Sequence, residues 1–419
     1  MKKTVLFLTA MALWGGLQAQ IPCDGGRYLS EVFPSATLHS DITYGSNINL
    51  QGNVQSLEMD IYEPTGDPAA LRPLLLLQHG GSFMFGDKAA LDITALAEPL
   101  AKMGYVVASV EYRLGMQGMP FPGPDSSTAS ESVWRAVADY KAAVRWFYKD
   151  VITNGNTYRI DTNYLFIGGV SAGAVSAVHY AYLDQDSEIP AFIDTTKTGL
   201  GGGLEGNSGN AGYSSRVRAV VSICGMVADT GWINAGDEPI VSLHGTEDDV
   251  VPYGTDMITV SQFFPIFVVD GSHSVHARAT QVGLDNCLYT YQGAGHTPHV
   301  ANQAYTDTTL AVVTNFLYGY TSCGASSCTY VVGRTDALDM AAVQVFPNPG
   351  QGRFQVEVPA DWRSGWALEV TDLSGRRLAQ QTDLLAVHAE VDLRHLSPGV
   401  YLVRASNGQA QRTLRLVIQ

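Results

Sequence analysis

Gly169-Val170-Ser171-Ala172-Gly173 sets one serine between two glycines, each two residues away. A serine so placed can attack a carbonyl carbon if the chain turns sharply there from strand to helix, holding its Oγ clear of the sheet. A Cβ at either flanking position would collide with the neighbouring strand or helix, so the turn demands glycine. The five-residue pattern also recurs by chance, and its context decides. Here the apolar run Tyr164 to Ile167 precedes it, and the small, helix-compatible residues Ala174 to Val178 follow.

Acyl transfer by serine further needs a base for the Oγ proton, an acid to orient that base, and donors for the developing oxyanion. On a parallel sheet these come in the order Ser, Asp or Glu, His. The stretch Leu243 to Pro252 supplies three carboxylates at the end of a later strand, Glu247, Asp248 and Asp249. A loop carboxylate is ordinarily just solvated, but the order selects Asp248 as the acid, with Asp249 behind it. His296 is the base, with its near neighbour His299 behind it, although either alone would ordinarily be a surface loop histidine: Gly293, Ala294 and Gly295 leave the His296 ring room to reach back over Ser171. His79-Gly80-Gly81 closes an earlier apolar strand. A Gly-Gly turn is common by itself, but in this order the amides of Gly80, Gly81 and Ala172 form the expected oxyanion hole. His244 has a structural job at its turn. His273 and His276 read as surface residues without a third ligand, so neither a metal nor a cofactor is expected.

These residues need a scaffold that brings distant loops together. Continuous apolar runs at Pro73–Leu77, Tyr105–Tyr112, Val217–Ile223, Pro239–His244 and Cys287–Tyr291 read as strands, and alternation marks another within Tyr44–Tyr62. Helical spacing falls at about 89–103, 133–150 and 306–317. Thr198 to Ser215, rich in glycine, asparagine and serine, reads as a surface excursion. Strands alternating with helices predict an α/β fold, one mostly parallel sheet wrapped by helices on both faces. After about Tyr320 the pattern changes. A Cys/Gly/Ser-rich linker at 321–342 leads to short alternating strands at 354–358, 367–372, 389–393, 399–404 and 412–418, a small all-β sandwich over 343–419.

The chain has 419 residues, 46% hydrophobic and 16% charged, with a net charge of -15. That acidity, with no basic cluster, argues against nucleic acid as a partner. Lys2-Lys3, the apolar Val5 to Trp14 and the small-residue site ending at Ala19 read as a signal peptide over 1–19, which leaves a catalytic domain over 20–320. No later stretch is long and apolar enough to be read as a membrane span. Five cysteines in an exported chain imply disulfides with one thiol left over. Cys323 and Cys328 lie near enough to pair locally. Among Cys23, Cys224 and Cys287, Cys224 sits in an apolar run and reads as a buried thiol.

On His79-Gly80-Gly81, Val110 to Gly115, Gly169 to Gly173, His244 to Pro252 and His296, residues 44–317 resemble the HGG-type carboxylesterases and feruloyl-esterase-like group of the α/β-hydrolase superfamily. The resemblance implies Ser171 as nucleophile, Asp248 as acid, His296 as base, and Gly80, Gly81 and Ala172 as oxyanion donors. Through Phe346 to Pro349, Asp372 to Arg376 and Leu396 to Tyr401, the tail resembles the type A C-terminal sorting domain of the type IX secretion system, which implies that machinery as a partner. The expected protein is a secreted or surface-attached serine esterase, cleaving carboxylic esters through an acyl-enzyme. A serine peptidase of the prolyl-oligopeptidase kind shares the His-Gly-Thr-x-Asp pattern of residues 244–248. Such peptidases usually take an oxyanion donor from tyrosine and prefer an aromatic residue after the serine, where this chain has Ala172. A non-catalytic binding protein on the same scaffold would typically lack a triad member, and none is missing.

Overall fold

The computed structural model describes residues 21–261, 263–325, 343–348, 350–358, 362, 365–372, 376–407 and 411–418. The expected signal segment, Cys328 and most of the expected linker lie outside these. The chain divides into two compact units near residue 330.

The first unit is built on eight strands: β1 (Ala36–Ile48), β2 (Val54–Pro64), β3 (Arg72–Gln78), β4 (Val106–Val110), β5 (Ile160–Val170), β6 (Val220–Ile223), β8 (Ile240–Gly245) and β11 (Asn286–Tyr291). Their order is β1-β2-β4-β3-β5-β6-β8-β11. The first two pairings are antiparallel and the rest parallel. Both faces of the middle strands are buried, which is why they read as unbroken apolar runs. Leu74, Leu76 and Ile167 pack with Tyr140 and Phe147 of α2 (Ser126–Thr153) and with Val178 of α3 (Ala172–Tyr182). Leu75, Leu77 and Phe166 face Leu96 of α1 (Leu91–Lys102) and Phe316 of α5 (Gln303–Tyr318). A separate small sheet, in the order β7-β10-β9, joins β7 (Met226–Val227), β9 (Thr255–Val260) and β10 (Phe264–Gly271), and α4 (Ser272–Val282) follows it.

One expectation is refined and another changes. Residues 198–215 run over the surface as expected, as a strap stitched to the body. Arg145 donates to the Gly209 carbonyl, Arg113 donates to Gly199 O at 2.7 Å, and Ser208 is wholly buried against β1. The Arg113 guanidinium is itself fully buried against Asp139 at 2.8 Å. A buried charge needs such a partner and filled hydrogen bonds, and the carbonyls of the strap supply them.

Cys323 pairs not with Cys328 but with Cys23, 300 positions away. Ile21 and Tyr28 are buried in the same apolar cluster as Phe316 and Leu317, so packing carries the first described residues to the end of α5. Reduction of this bridge, or Cys323→Ser, is expected to destabilise the unit by about 3–5 kcal/mol, because a cross-link closing so long a loop restricts the unfolded chain strongly. Thermal melts with and without reductant measure it, and coincident curves would show that the bridge contributes nothing. Cys224 is a buried thiol outside any disulfide, as its apolar run implied.

The second unit contains two antiparallel sheets. One is β12 (Gln344–Phe346), β13 (Arg353–Glu357) and β16 (His388–Asp392). The other, in order, is β15 (Arg377–Leu384), β14 (Trp366–Thr371), β17 (Gly399–Ser406) and β18 (Gln411–Ile418). Phe354, Trp366, Leu368, Val391 and Val403 share one core. Strand β15 was not foreseen: among the described residues it is an edge strand pairing with β14 alone, and its polar sequence lacks clear apolar alternation.

Candidate active site

Strand β5 runs straight into α3, and Ser171 occupies the joint with φ 52°. That left-handed value is strained for a residue with a side chain. The elbow is locked by close approach: a Cβ on Gly173 would lie 2.0 Å from Gln78 O, and one on Gly169 would lie 2.4 Å from the Gly173 carbonyl carbon. The glycine spacing in the sequence is thus a packing requirement.

The loops after β8 and β11 are tied to each other. Thr246 N–H donates to Tyr291 O at 3.1 Å and Glu247 N–H to Ala294 O at 2.9 Å. These ties bring Ser171, His296 and Asp248 into one hydrogen-bonded chain, although 125 and 48 positions separate the successive pairs. Ser171 Oγ is 2.8 Å from His296 Nε2, and His296 Nδ1 is 2.7 Å from Asp248 Oδ2. The Asp248 carboxylate is fully buried, while the His296 ring is 18% exposed and so open to a substrate. Asp248 Oδ1 also accepts the amides of Val250 and Val251, both at 2.9 Å. Burial works against its charge, but hydrogen bonds from His244, His296 and the Val251 amide, with the attraction of His296, hold its carboxyl well below the usual range. Glu247 and Asp249 are exposed beside it.

One amide of the expected oxyanion set is already engaged. Gly80 N–H is already donated to Asp92 Oδ2 at 2.8 Å, so this amide is committed to holding its loop. Gly81 and Ser82 have no hydrogen-bond partner for their amides among the described residues. Ala172 opens α3, where first-turn amides lack a partner within the helix. The available donors are therefore Gly81, Ser82 and Ala172. Asp92 gave no sequence signal, because an acidic residue in the first turn of a helix is common for its own sake.

His299, the second candidate for the base, is fully buried away from that role, and its Nε2–H donates to the Asp92 carbonyl at 3.0 Å. His276 is likewise buried, on the inner face of α4 with Val275 and Ala279, and donates from Nδ1 to Asn286 Oδ1. His273 is exposed as expected. Burial pushes both His276 and His179 of α3 down to about 4. Below the ordinary imidazole value the unfolded chain takes up protons that these folded rings refuse, so stability falls as pH is lowered from about 6.5 to about 4. The expected loss is roughly 3 kcal/mol per ring across that window. His276→Gln should flatten the decline in melting temperature between pH 7 and pH 4.5, and a wild-type slope in that variant would refute the assignment.

An apolar cavity of about 110 Å³ opens beside Ser171 and Ala172, between α2, α3 and the small sheet. Val133, Val137, Val175, Ile193, Trp232 and Ile266 form much of its wall, and among the described residues no acidic or basic side chain besides His179 lines it. His179 has both nitrogens engaged, Nδ1 with Val175 O and Nε2 with the Ala228 amide.

Residues 59–230 match the BD-FAE family model, and residues 344–419 match the model for a secretion system C-terminal sorting domain. Over 130 residues the chain is 29% identical to Lipase 1 of Geotrichum candidum, a match covering 30% of this chain and 22% of that protein. Over 120 residues it is 34% identical to Carboxylesterase 3B of Mus musculus, covering 28% and 19% respectively. The match thus spans about a fifth of the length of these two curated relatives. Among solved structures, the butyrate-bound esterase Est2 of Thermogutta terrifontis is 19% identical, with 70% of this chain and 97% of that one covered at a TM-score of 0.47. A truncated carbohydrate esterase from gut microbiota is also 19% identical, with 69% and 97% covered at a TM-score of 0.47. The eight-stranded, mostly parallel sheet is an α/β-hydrolase fold, with the BD-FAE match lying over residues 59–230 and the match to a secretion-system sorting domain over residues 344–419.

Proposed function

We propose that the chain is an exported serine esterase that hydrolyses uncharged carboxylic esters through an acyl-enzyme. The observation that carries this reading is the unbroken hydrogen-bonded chain from Ser171 through His296 to the buried Asp248. Ser171 Oγ attacks the ester carbonyl while His296 Nε2 takes its proton. Asp248, held ionised, stabilises the imidazolium that forms. The Gly81, Ser82 and Ala172 amides are placed to take the oxyanion, helped by the positive end of α3. His296 then returns the proton to the leaving alcohol, and water attacks the acyl-enzyme by the same route in reverse. An apolar cavity without acidic or basic walls favours an uncharged apolar group on the substrate.

The sorting domain supports export through the type IX machinery, with the segment 1–19 as signal peptide and 321–342 as linker. Among the described residues no helix is long and apolar enough to cross a membrane. The peptidase reading is less well supported, since no tyrosine lines the cavity and the Tyr112 hydroxyl is committed to the His79 carbonyl. Purified protein offered aryl acetate, aryl butyrate and proline-containing peptides should turn over the esters. Cleavage of the peptides with none of the esters would favour the peptidase instead.

A further inference from the structure

The chain of hydrogen bonds does not stop at Asp248. His244, near the end of β8, is wholly buried, with Nε2 3.1 Å from Asp248 Oδ2 and 3.1 Å from the Val251 carbonyl oxygen. An ionised carboxylate and a carbonyl are both acceptors, so Nε2 must carry a proton. On the other side of the ring, Nδ1 lies 2.8 Å from Ser272 Oγ, at the start of α4. The other neighbour of that hydroxyl, Gly225 O, is 3.4 Å away, a poorer acceptor position, so Ser272 donates to Nδ1.

We infer that His244, fixed in its Nε2–H tautomer by Ser272, is a positioning residue that aims Asp248 Oδ2 at His296. This rests on the triad reading given above. Two amides pin Asp248 Oδ1. Without His244, Oδ2 would keep His296 as its side-chain partner among the described residues, and the carboxylate could turn away as the His296 ring takes up the serine proton. A donor on Oδ2 also draws off part of its charge and so tempers how strongly it holds a proton on His296.

The other titratable groups around this network are accounted for. Burial, with the nearby Asp248 charge, pushes the Cys224 thiol up to about 12, so it stays neutral. The Tyr253 ring stands edge-on to His244 at 5.7 Å, with its hydroxyl on Thr290. Burial lowers His299, beyond His296, so that ring too favours the neutral form. Glu247 and Asp249 face solvent.

The test compares His244→Asn with His244→Gln. Asparagine places its amide near the Nδ1 position, keeping Ser272 and leaving Asp248 without the donor. Glutamine reaches the Nε2 position with an N–H. The readouts are the ¹H–¹⁵N titration midpoint of the His296 imidazole and the pH profile of kcat/KM. In His244→Asn the midpoint should rise by about half a pH unit or more, because Asp248 then carries more undiluted charge toward the ring. In the same variant kcat should fall about tenfold with KM within about twofold. His244→Gln should restore most of both. A merely structural role would lower melting temperature in both variants without moving the midpoint, and an unmoved or equally moved midpoint overturns the inference. If neither variant folds, Ser272→Ala, which releases the tautomer, reads the same midpoint, and a wild-type value there overturns it as well. The midpoint needs no turnover: a wild-type protein inert toward esters, with the shift present, would sink the esterase reading alone.

Discussion

Ser171→Ala is expected to remove ester turnover by roughly five to six orders of magnitude and to abolish covalent labelling by a fluorophosphonate probe. The size of the effect follows from what the side chain supplies. Alanine at the elbow leaves the oxyanion amides and the apolar cavity in place, but water must then replace a nucleophile held 2.8 Å from its base. The substitution removes one buried hydroxyl from a joint whose backbone is held by the Ser171 N–H to Ile223 O bond, so the fold should be unaffected. Melting temperature should stay within a few degrees of wild type, which separates loss of chemistry from loss of structure. A variant that still labels, or that keeps more than a thousandth of the turnover, would show that the nucleophile lies elsewhere.

Asp248→Asn should lower kcat by about four orders of magnitude, while Asp249→Asn should leave it within about twofold. Asparagine is nearly isosteric, but it can present an N–H to His296 Nδ1 in place of an acceptor. That nitrogen then becomes the acceptor, the proton moves to Nε2, and the ring can no longer take the serine proton. Asp249 is exposed and takes no part in the hydrogen-bonded chain. The comparison is sharp because the two residues are adjacent in sequence and both precede Val250. Equal losses in the two variants, or a larger one at 249, would reassign the acid. Stopped assays across pH distinguish a mispositioned base from a merely slower enzyme.

The residues proposed for the chemistry were legible because each obeys a local rule. Ser171 sits between glycines that backbone contacts require, and Asp248 and His296 follow strands whose apolar runs were unmistakable. The sheet was legible for the same reason, since the alternate residues of β3, Leu74 and Leu76 against Leu75 and Leu77, bury both faces. What was hidden depends on contacts between distant segments. The loss of Gly80 as a donor comes from Asp92, twelve residues on and across a loop. His244 looked like a turn residue because nothing in its neighbourhood shows that Ser272 will stand on its other side. The polar sequence of α4 concealed a buried histidine, and the strap at 198–215 looked like solvent-facing loop until two arginines from elsewhere claimed its carbonyls. Cys23 and Cys323 are joined by packing, which spacing along the chain does not encode.

That last bond makes a covalent ring of nearly all the first unit. A protease that nicks one exposed peptide bond inside the ring, for example between Thr196 and Lys197, would produce two pieces that still migrate as one on a non-reducing gel. They would part only when a thiol is added, so a digested sample can look intact while its backbone is broken.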